Sequence, residues 1–501
     1  MQKYITATIR AHLLRGALYL LVLLAVFLIP FALAQRTTAK ANRPATTITV
    51  TNTNDSGPGS LRQALADAND GDTINFDVSL KGQTIALTSG ELVIDKSITI
   101  TGPGSDQLAV GVPLPFQHNF RIFHVMASPT VTIEGLTIGP SLYFYGCGIQ
   151  NDQATLTINN CDVTGNNALT SGAGISNGGT LTINNSRVGG NALQYQGTGA
   201  GISNSGTLII NNSIIHDNFS GKGQTDGGGI YSSGTLEITN STIDGNSVGG
   251  PGGGIFNVGA AIITSSTISG NFSGGGSPGP QTGPGFGGGI SNYGTLTISN
   301  STISGNSALT INQAPGRGGG IGNSGSLHIA NSTISGNSAA NGGAICNNAA
   351  PLDIANSILN AGDVGQNIFN DGGTVTSLGY NLSSDNGGGY LNGPGDQTNT
   401  NPILGPLQNN DGPTQTHRPY PQSPAIDAGD PNFTPPPFYY QRGPGFDRVV
   451  NGRIDIGSFE VQEDKPPPPS PTPTATATAS PTLTPRPTPT PRPRLTPHPR
   501  P

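Results

Sequence analysis

The sequence predicts an all-β fold: a right-handed parallel β-helix solenoid with a short N-terminal capping helix and a disordered Pro/Thr-rich C-terminal tail. Three observations predict it. A Gly-x-Ile mark recurs at Ile149, Ile175, Ile202, Ile230, Ile255, Ile290, Ile321 and Ile345, with gaps of 26, 27, 28, 25, 35, 31 and 24 residues. That period belongs to a solenoid or an array. From the marker isoleucine to the Asn that closes the copy, usually in a Gly-Asn pair, is 16 residues in six copies, and 17 from Ile149 to Asn166. Length variation is thus confined to one tolerant loop. Finally, each copy holds three short strand candidates and no stretch of helical periodicity.

Within a copy, Leu236-Glu-Ile238 and Leu296-Thr-Ile298 alternate apolar and polar residues with period two, the pattern of a half-buried strand. Ile243 and Ile303 mark the next strand, and Ile230 and Ile290 mark the remaining one. Three strands per coil and no helix give a parallel β-helix with apolar residues inside and Ser and Thr facing water. Parallel coils stack at roughly 4.8 Å, so equivalent residues form ladders. Two residues after the marker come Asn151, Asn177, Asn204, Ser232, Asn257, Asn292, Asn323 and Asn347. Asn tolerates left-handed backbone, and its amide can bond to the copies on either side. A structural turn ladder is the simpler reading; a ligand-binding row is the sharper one.

From the N-terminus, Lys3, Arg10 and Arg15 precede an apolar run from Ala17 to Leu33, and Ala32-Leu33-Ala34 offers a small-residue cleavage site. Residues 1–34 read as a signal peptide, with an uncleaved signal anchor as the alternative. Secretion or cell-surface display follows. Residues 35–47 read as a flexible lead. Ser60-Leu-Arg-Gln63 is a capping box opening a helix from Leu61 to Ala68, placed to cover the open end of the solenoid. Residues 48–146 form this cap and the first coils, 147–360 the regular repeats, and 361–464 the last coils and a C-terminal cap. Val375 to Leu382 fits one or two coils, 385–450 reads mostly as loop, and Arg453 to Phe459 as a final strand. From Lys465 onward, Pro and Thr dominate; such a tail buries no core and serves as spacer or stalk.

Composition narrows the function. Charged residues make up 10% of the chain, against roughly 25% in ordinary domains, so the surface is Ser, Thr and Asn. The net charge of −6 disfavours nucleic acid, and a membrane is engaged only through the N-terminal segment if that is uncleaved. Cys147, Cys161 and Cys346 do not make a disulfide framework. Cys161 occupies the Ser241 position of the repeat, and a Cys147–Cys161 bridge stays open. No Cys/His spacing suggests zinc; no metal or cofactor is expected.

The two ends of the mature chain carry a resemblance. Asp55-Ser-Gly-Pro-Gly-Ser-Leu-Arg-Gln-Ala64 running to Gly71-Asp72-Thr73-Ile74, and Ser423-Pro-Ala-Ile-Asp-Ala-Gly-Asp430 followed by Gln441-Arg-Gly443 and Gly452-Arg-Ile-Asp-Ile-Gly457, resemble the start and end of bacterial choice-of-anchor Q domain proteins. The repeats resemble the right-handed β-helices of the pectin-lyase-like superfamily. A common version of the ending has an acid before Gln-Arg-Gly, where this chain has Tyr440. The resemblance implies fold and export more than activity. Gly342-Gly-Ala-Ile345 is similar to polymorphic outer membrane protein repeats, but Ile243 to Asn246 replaces their Phe-x-x-Asn and no C-terminal barrel pattern follows.

Fold relatives that cleave polysaccharides raise the enzyme alternative. Hydrolysis needs two carboxylates within several ångströms, and lyase chemistry needs a base. His216 and Asp244 stand at equivalent positions of neighbouring coils, with Asp217 adjacent; Asp162 and Asp226 lie elsewhere on their coils. This is the best acid/base candidate, but Ser269, Ser304 and Ser335 fill the position in other copies, which favours a solvated surface site. Gly221-Lys222-Gly223 lacks the Ser or Thr of a phosphate loop, and Asn-Ser-Thr at Asn240, Asn300 and Asn331 follows from the repeat. The expected function is a stiff exported scaffold that contacts carbohydrate, a cell envelope or a host surface through loops such as 272–286 and 307–317. The alternative is a polysaccharide lyase or glycoside hydrolase working in a groove along the helix.

Overall fold

In a computed structural model, the structure describes residues 43–112, 120–143, 147–220, 225–274 and 284–462. The expected signal peptide and the Pro/Thr-rich tail lie outside these residues, as does the middle of the 272–286 loop. Four long parallel sheets run through the described residues. We number them in the order in which a coil crosses them. Sheet 1 has 11 strands and carries the marker isoleucines, from Leu92–Ile94 to Ile368–Asp371. Sheet 2 has 13, from Thr47–Val50 to Thr374–Gly379; sheet 3 has 12, from Gln83–Ala86 to Leu382–Ser383; sheet 4 has 7 short ones, from Ser141–Tyr143 to Ser307–Ala308. The chain is therefore an all-β parallel solenoid. Register is kept from coil to coil: Leu156 pairs with Leu181 and Ile158 with Ile183, and the marker Ile149 pairs with Ile175. Alternation puts these residues inside, where Ile149, Leu156, Ile158, Ile175, Leu181 and Ile183 are all fully buried.

Corners set the coil's shape. Between sheets 2 and 3 the turn residue is left-handed in every regular coil, at Asn160, Asn185, Asn212, Asn240, Ser265, Asn300, Asn331 and Asn356, with φ from 47° to 55°. Asn is the residue that enters this region at least cost. The recurring Asn-Ser-Thr is thus a corner. Three residues before the marker, Gly172, Gly199, Gly227, Gly252, Gly287, Gly318 and Gly342 have φ between 64° and 75°. A Cβ on any of them would sit 2.0–2.6 Å from the marker isoleucine's carbonyl oxygen, so conformation and space both demand glycine.

Three polar ladders line the corners. In the first, Asn151 donates to Asn177 and Asn177 to Asn204, each at 2.7 Å, and the row resumes from Asn257 through Asn292, Asn323 and Asn347 to Asn370. The second is the Asn that closes each copy: Asn166, Asn191, Asn218, Asn246, Asn271, Asn306 and Asn337 are bonded in series at 2.9–3.0 Å and buried. A third runs from the backbone N–H of one coil to the Ser hydroxyl of the next, as from Ser186 to Ser213 and Ser213 to Ser241. Cys161 occupies the Ser position of its coil, its N–H donating to the Ser186 hydroxyl. All three cysteines are free and buried, which closes the question of a Cys147–Cys161 bridge.

The N-terminal helix α1 spans Leu61–Asp67, with Ala68 as its C-cap. Only half of the expected capping box forms. The Ser60 hydroxyl accepts from Gln63 N, but the Gln63 amide turns to Asp67. α1 packs Leu61, Ala64 and Leu65 against Thr47–Val50 and Leu92–Ile94, the first strands of their sheets, and so covers apolar ends that no further coil would bury. The lead is also tied down where it is described: Arg43 pairs with Asp72, and Thr46 N donates to the Asp72 carboxylate.

The C-terminal part departs furthest from expectation. Arg453 to Phe459 is not a strand, although Ile454, Ile456 and Phe459 are buried. Among the described residues the one regular pairing after Leu382–Ser383 is an antiparallel one, Leu404–Gln408 with Thr416–Pro419. This segment folds back over the outer face of sheet 3. Thr267 donates to Gln415 O, Thr302 to Gln441 Oε1 and Ser458 to Thr333 Oγ1, and Ser304 donates to His417 Nε2. The expected water-facing row of Thr267, Ser269, Thr302, Ser304, Thr333 and Ser335 is accordingly buried.

Candidate functional site

Sheet 3 positions the first candidate. His216 pairs in register with Asp244, as the repeat requires, but among the described residues no hydrogen bond joins their side chains. His216 Nδ1 lies 2.9 Å from Asp217 and Nε2 3.2 Å from Arg187 Nη2. A guanidinium only donates, so Nε2 accepts and Nδ1 carries the proton to Asp217. Both ring nitrogens are thereby occupied. Gly189 makes room: a Cβ there would meet His216 Nε2 at 2.3 Å. Asp217 occupies the left-handed corner that is Gly in the other copies, at φ 51°. Asp244 accepts instead from Ser269, at 2.8 Å. Asp162 pairs with Arg187 across the coil, and burial pushes its carboxyl up against the opposing pull of Arg187 and His216. The structure thus joins His216 to Asp217 and Arg187 and leaves Asp244 apart.

The residues missed in the sequence are on the outer face of sheet 1. Register aligns His124, Gln150, Ser176, Ser203, Tyr231, Phe256, Ser291, Gly322, Cys346 and Phe369 in one row. Near its start, His124 sits between two carboxylates, 3.0 Å from Glu91 and 2.9 Å from Asp152, and Arg121 pairs with Glu91 at 2.7 Å. Burial pushes both carboxyls up, but the bonds from Arg121 and His124 to Glu91, and from His124 and Gln150 to Asp152, bring each below its ordinary value.

Further along, the row becomes aromatic. Tyr231 stacks on Phe256 at 5.5 Å with planes 8° apart. Tyr293 lies 5.3 Å from Phe256 and 5.7 Å from Phe286. Phe286 rests on bare backbone, since a Cβ on Gly322 would touch its ring at 2.8 Å. Phe256 is nearly buried and Tyr293 is 47% exposed, so the row has a packed base and an open edge. Asp226 stands beside it. Burial pushes its carboxyl up; burial and then the Asp226 charge push the Tyr231 and Tyr293 phenols up as well. The Ser291 hydroxyl, in the same row, is buried without a partner among the described residues. The signal was present in the sequence. Two copies carry Tyr231 and Phe256 at the middle of the marker strand where others have Ser176, Ser203 and Ser291, and reading that column coil by coil would have found this pair, though not Tyr293 or Phe286.

No family model matches the chain, and no curated protein does; the choice-of-anchor likeness of the two ends therefore stays a resemblance of sequence. Among solved structures the chain is similar to the crystal structure of pectate lyase Pel9A, with 14% identity and a TM-score of 0.44, covering 83% of this chain and 96% of that one. At that score the likeness carries no inference about activity.

Proposed function

We propose that the chain is an exported β-helix protein that binds carbohydrate without cleaving it, through the aromatic strip of sheet 1. The observation that carries this reading is the cluster of Tyr231, Phe256, Tyr293 and Phe286, whose neighbouring rings lie 5.3–5.7 Å apart. Flat aromatic faces with polar rims suit ligands that have an apolar face and a hydroxyl edge. Asp226 and the Ser203 hydroxyl are the polar groups at hand. Export is read from the N-terminal segment, and the sparse surface charge fits a neutral contact.

The hydrolase alternative needs a carboxylic acid kept protonated and a second carboxylate to act with it, and the lyase alternative needs a base free to take a proton. Glu91 and Asp152 are held ionised, and His216 has both nitrogens engaged. Outside the buried C-terminal group, Asp162 and Asp226 have raised carboxyls, and among the described residues no hydrogen bond joins either to a second carboxylate. A glycan array of the full chain, with reducing-end and unsaturated-product assays on each hit and on polyuronates, tests the choice. We expect binding without product, and Tyr293→Ala to weaken it at least tenfold, about 1.4 kcal/mol, while His216→Ala leaves it unchanged. Product lost on Asp226→Asn would make this an enzyme.

A further inference from the structure

The segment that folds back over sheet 3 ends on an unusual group of charges. Asp455 and Glu460 are 1% and 0% exposed, and Arg448 is fully buried beside them. Asp427 lies at the surface in a left-handed turn, φ 50°. One carboxylate oxygen from each of Asp427, Asp455 and Glu460 lies within 4.8 Å of the others. Oxygens around an ion that binds them at 2.3–2.6 Å are separated by up to about 5 Å.

The hydrogen bonds orient these oxygens without saturating them. Asp455 Oδ1 accepts from Asp427 N at 2.7 Å, and Glu460 Oε2 from Asp455 N at 2.9 Å; Asp455 Oδ2 accepts from Val461 N. Glu460 Oε1 is buried with no partner among the described residues. Arg448 does not neutralise the group. Its Nη1 is 3.9 Å from Glu460 Oε2, and its Nη2 is spent on Asn331 and the Asp455 carbonyl. Ionised together, three carboxylates against one guanidinium would carry a net charge of −2 in a site that is largely dry, a costly arrangement unless something compensates it.

We propose that Asp427, Asp455 and Glu460 bind one divalent cation, Ca²⁺ by their chemistry, and that it locks the C-terminal segment onto the coils. All three ligands are carboxylates, with no imidazole or thiolate to favour zinc or copper. Two are fixed by backbone N–H groups and one faces solvent, which suits the adaptable sphere of Ca²⁺ completed by water better than the strict octahedron of Mg²⁺. Asp427 belongs to the 423–430 turn and Glu460 to the 453–461 end, and both pack on the Asn356 corner: Asp430 N donates to Asn356 Oδ1, and Gly457 N to Asn356 O. A cation between them joins the two ends of the returning segment.

The test is thermal unfolding of the full chain in chelator and across a Ca²⁺ series, with Mg²⁺ in parallel, backed by calorimetric titration for stoichiometry. We expect Tm to rise with Ca²⁺, one ion per chain, and Asp427→Asn, a surface change that leaves the core intact, to move the response to at least tenfold higher Ca²⁺. Glu460→Gln should lose the response and, in chelator, be at least as stable as the parent, because a neutral amide replaces a buried charge. No Ca²⁺-dependent shift, or one that survives unchanged in both variants, overturns the proposal. An equal response to Mg²⁺ overturns the assignment to Ca²⁺.

Discussion

Asn218 makes four hydrogen bonds through its side chain inside the solenoid. Its Nδ2 donates to Val188 O and Asn246 Oδ1, and its Oδ1 accepts from the backbone and side-chain amides of Asn191. No other side chain of that size offers two donors and two acceptors on one planar group. Asn218→Ala would leave buried partners unsatisfied on both neighbouring coils. We expect it to cost about 3 kcal/mol in urea unfolding, since each buried orphan costs roughly 1–3 kcal/mol. The Asn two residues after the marker was readable as a ladder, because it recurs beside a fixed landmark. The closing Asn was visible only as part of a Gly-Asn turn. That it points inward depends on how the corner swings the chain, which spacing does not encode.

Among elements, the returning segment is held by one residue above all. Gln441 is fully buried; its Nε2 reaches Thr267 Oγ1 at 2.9 Å and Thr414 Oγ1 at 3.0 Å, and its Oε1 accepts from Thr302 at 2.6 Å. We expect Gln441→Ala to speed hydrogen exchange of the Leu404–Gln408 and Thr416–Pro419 pair severalfold and leave the coils around Thr180–Asn184 unchanged, since loss of docking opens the segment locally. Equal acceleration in both places would mean that the segment and the coils unfold as one unit. Gln441-Arg-Gly443 could be picked out as part of a familiar ending. Its docking site could not, because Thr267 and Thr302 look like the outward threonines of every other copy.

At the scale of the whole molecule, Asp55, Asp72, Glu91 and Asp152, towards the N-terminal end, share one sign. Backbone bonds from Thr46 and Asn69 hold Asp72 far below its ordinary value. Burial opposes ionisation at Asp55, but Arg62, Ser89 and Thr88 together outweigh it, and Glu91 and Asp152 are lowered as described. A carboxyl whose folded value lies below its unfolded one adds stability above the unfolded value, about 4 for Asp and Glu, and that stability is lost as pH falls through the folded value. We therefore expect the α1 end to loosen below about pH 4, with hydrogen-exchange protection at 61–76 falling between pH 4 and pH 2 before that of the central coils. Uniform loss along the chain would refute it.

The repeat, three of the four strands of a coil, the glycine corner, the Asn ladder after the marker and the covering helix could be read from residue order; the short strands of sheet 4 and the left-handed Asn corners were not. Each depends on side chains a few positions apart or one period apart, and those relations survive in the sequence as spacing. The closed face of sheet 3, the pairing of His216 with Arg187 in place of Asp244 and the charges gathered around Glu460 were settled by tertiary structure. Gln441 meets Thr302 and Thr267 across 139 and 174 residues, and no period relates them. The aromatic strip lies between the two cases: Tyr231 and Phe256 are spaced by the repeat, but Tyr293 and Phe286 join them only through the packing of the next coil and the bare backbone of Gly322 on which Phe286 lies.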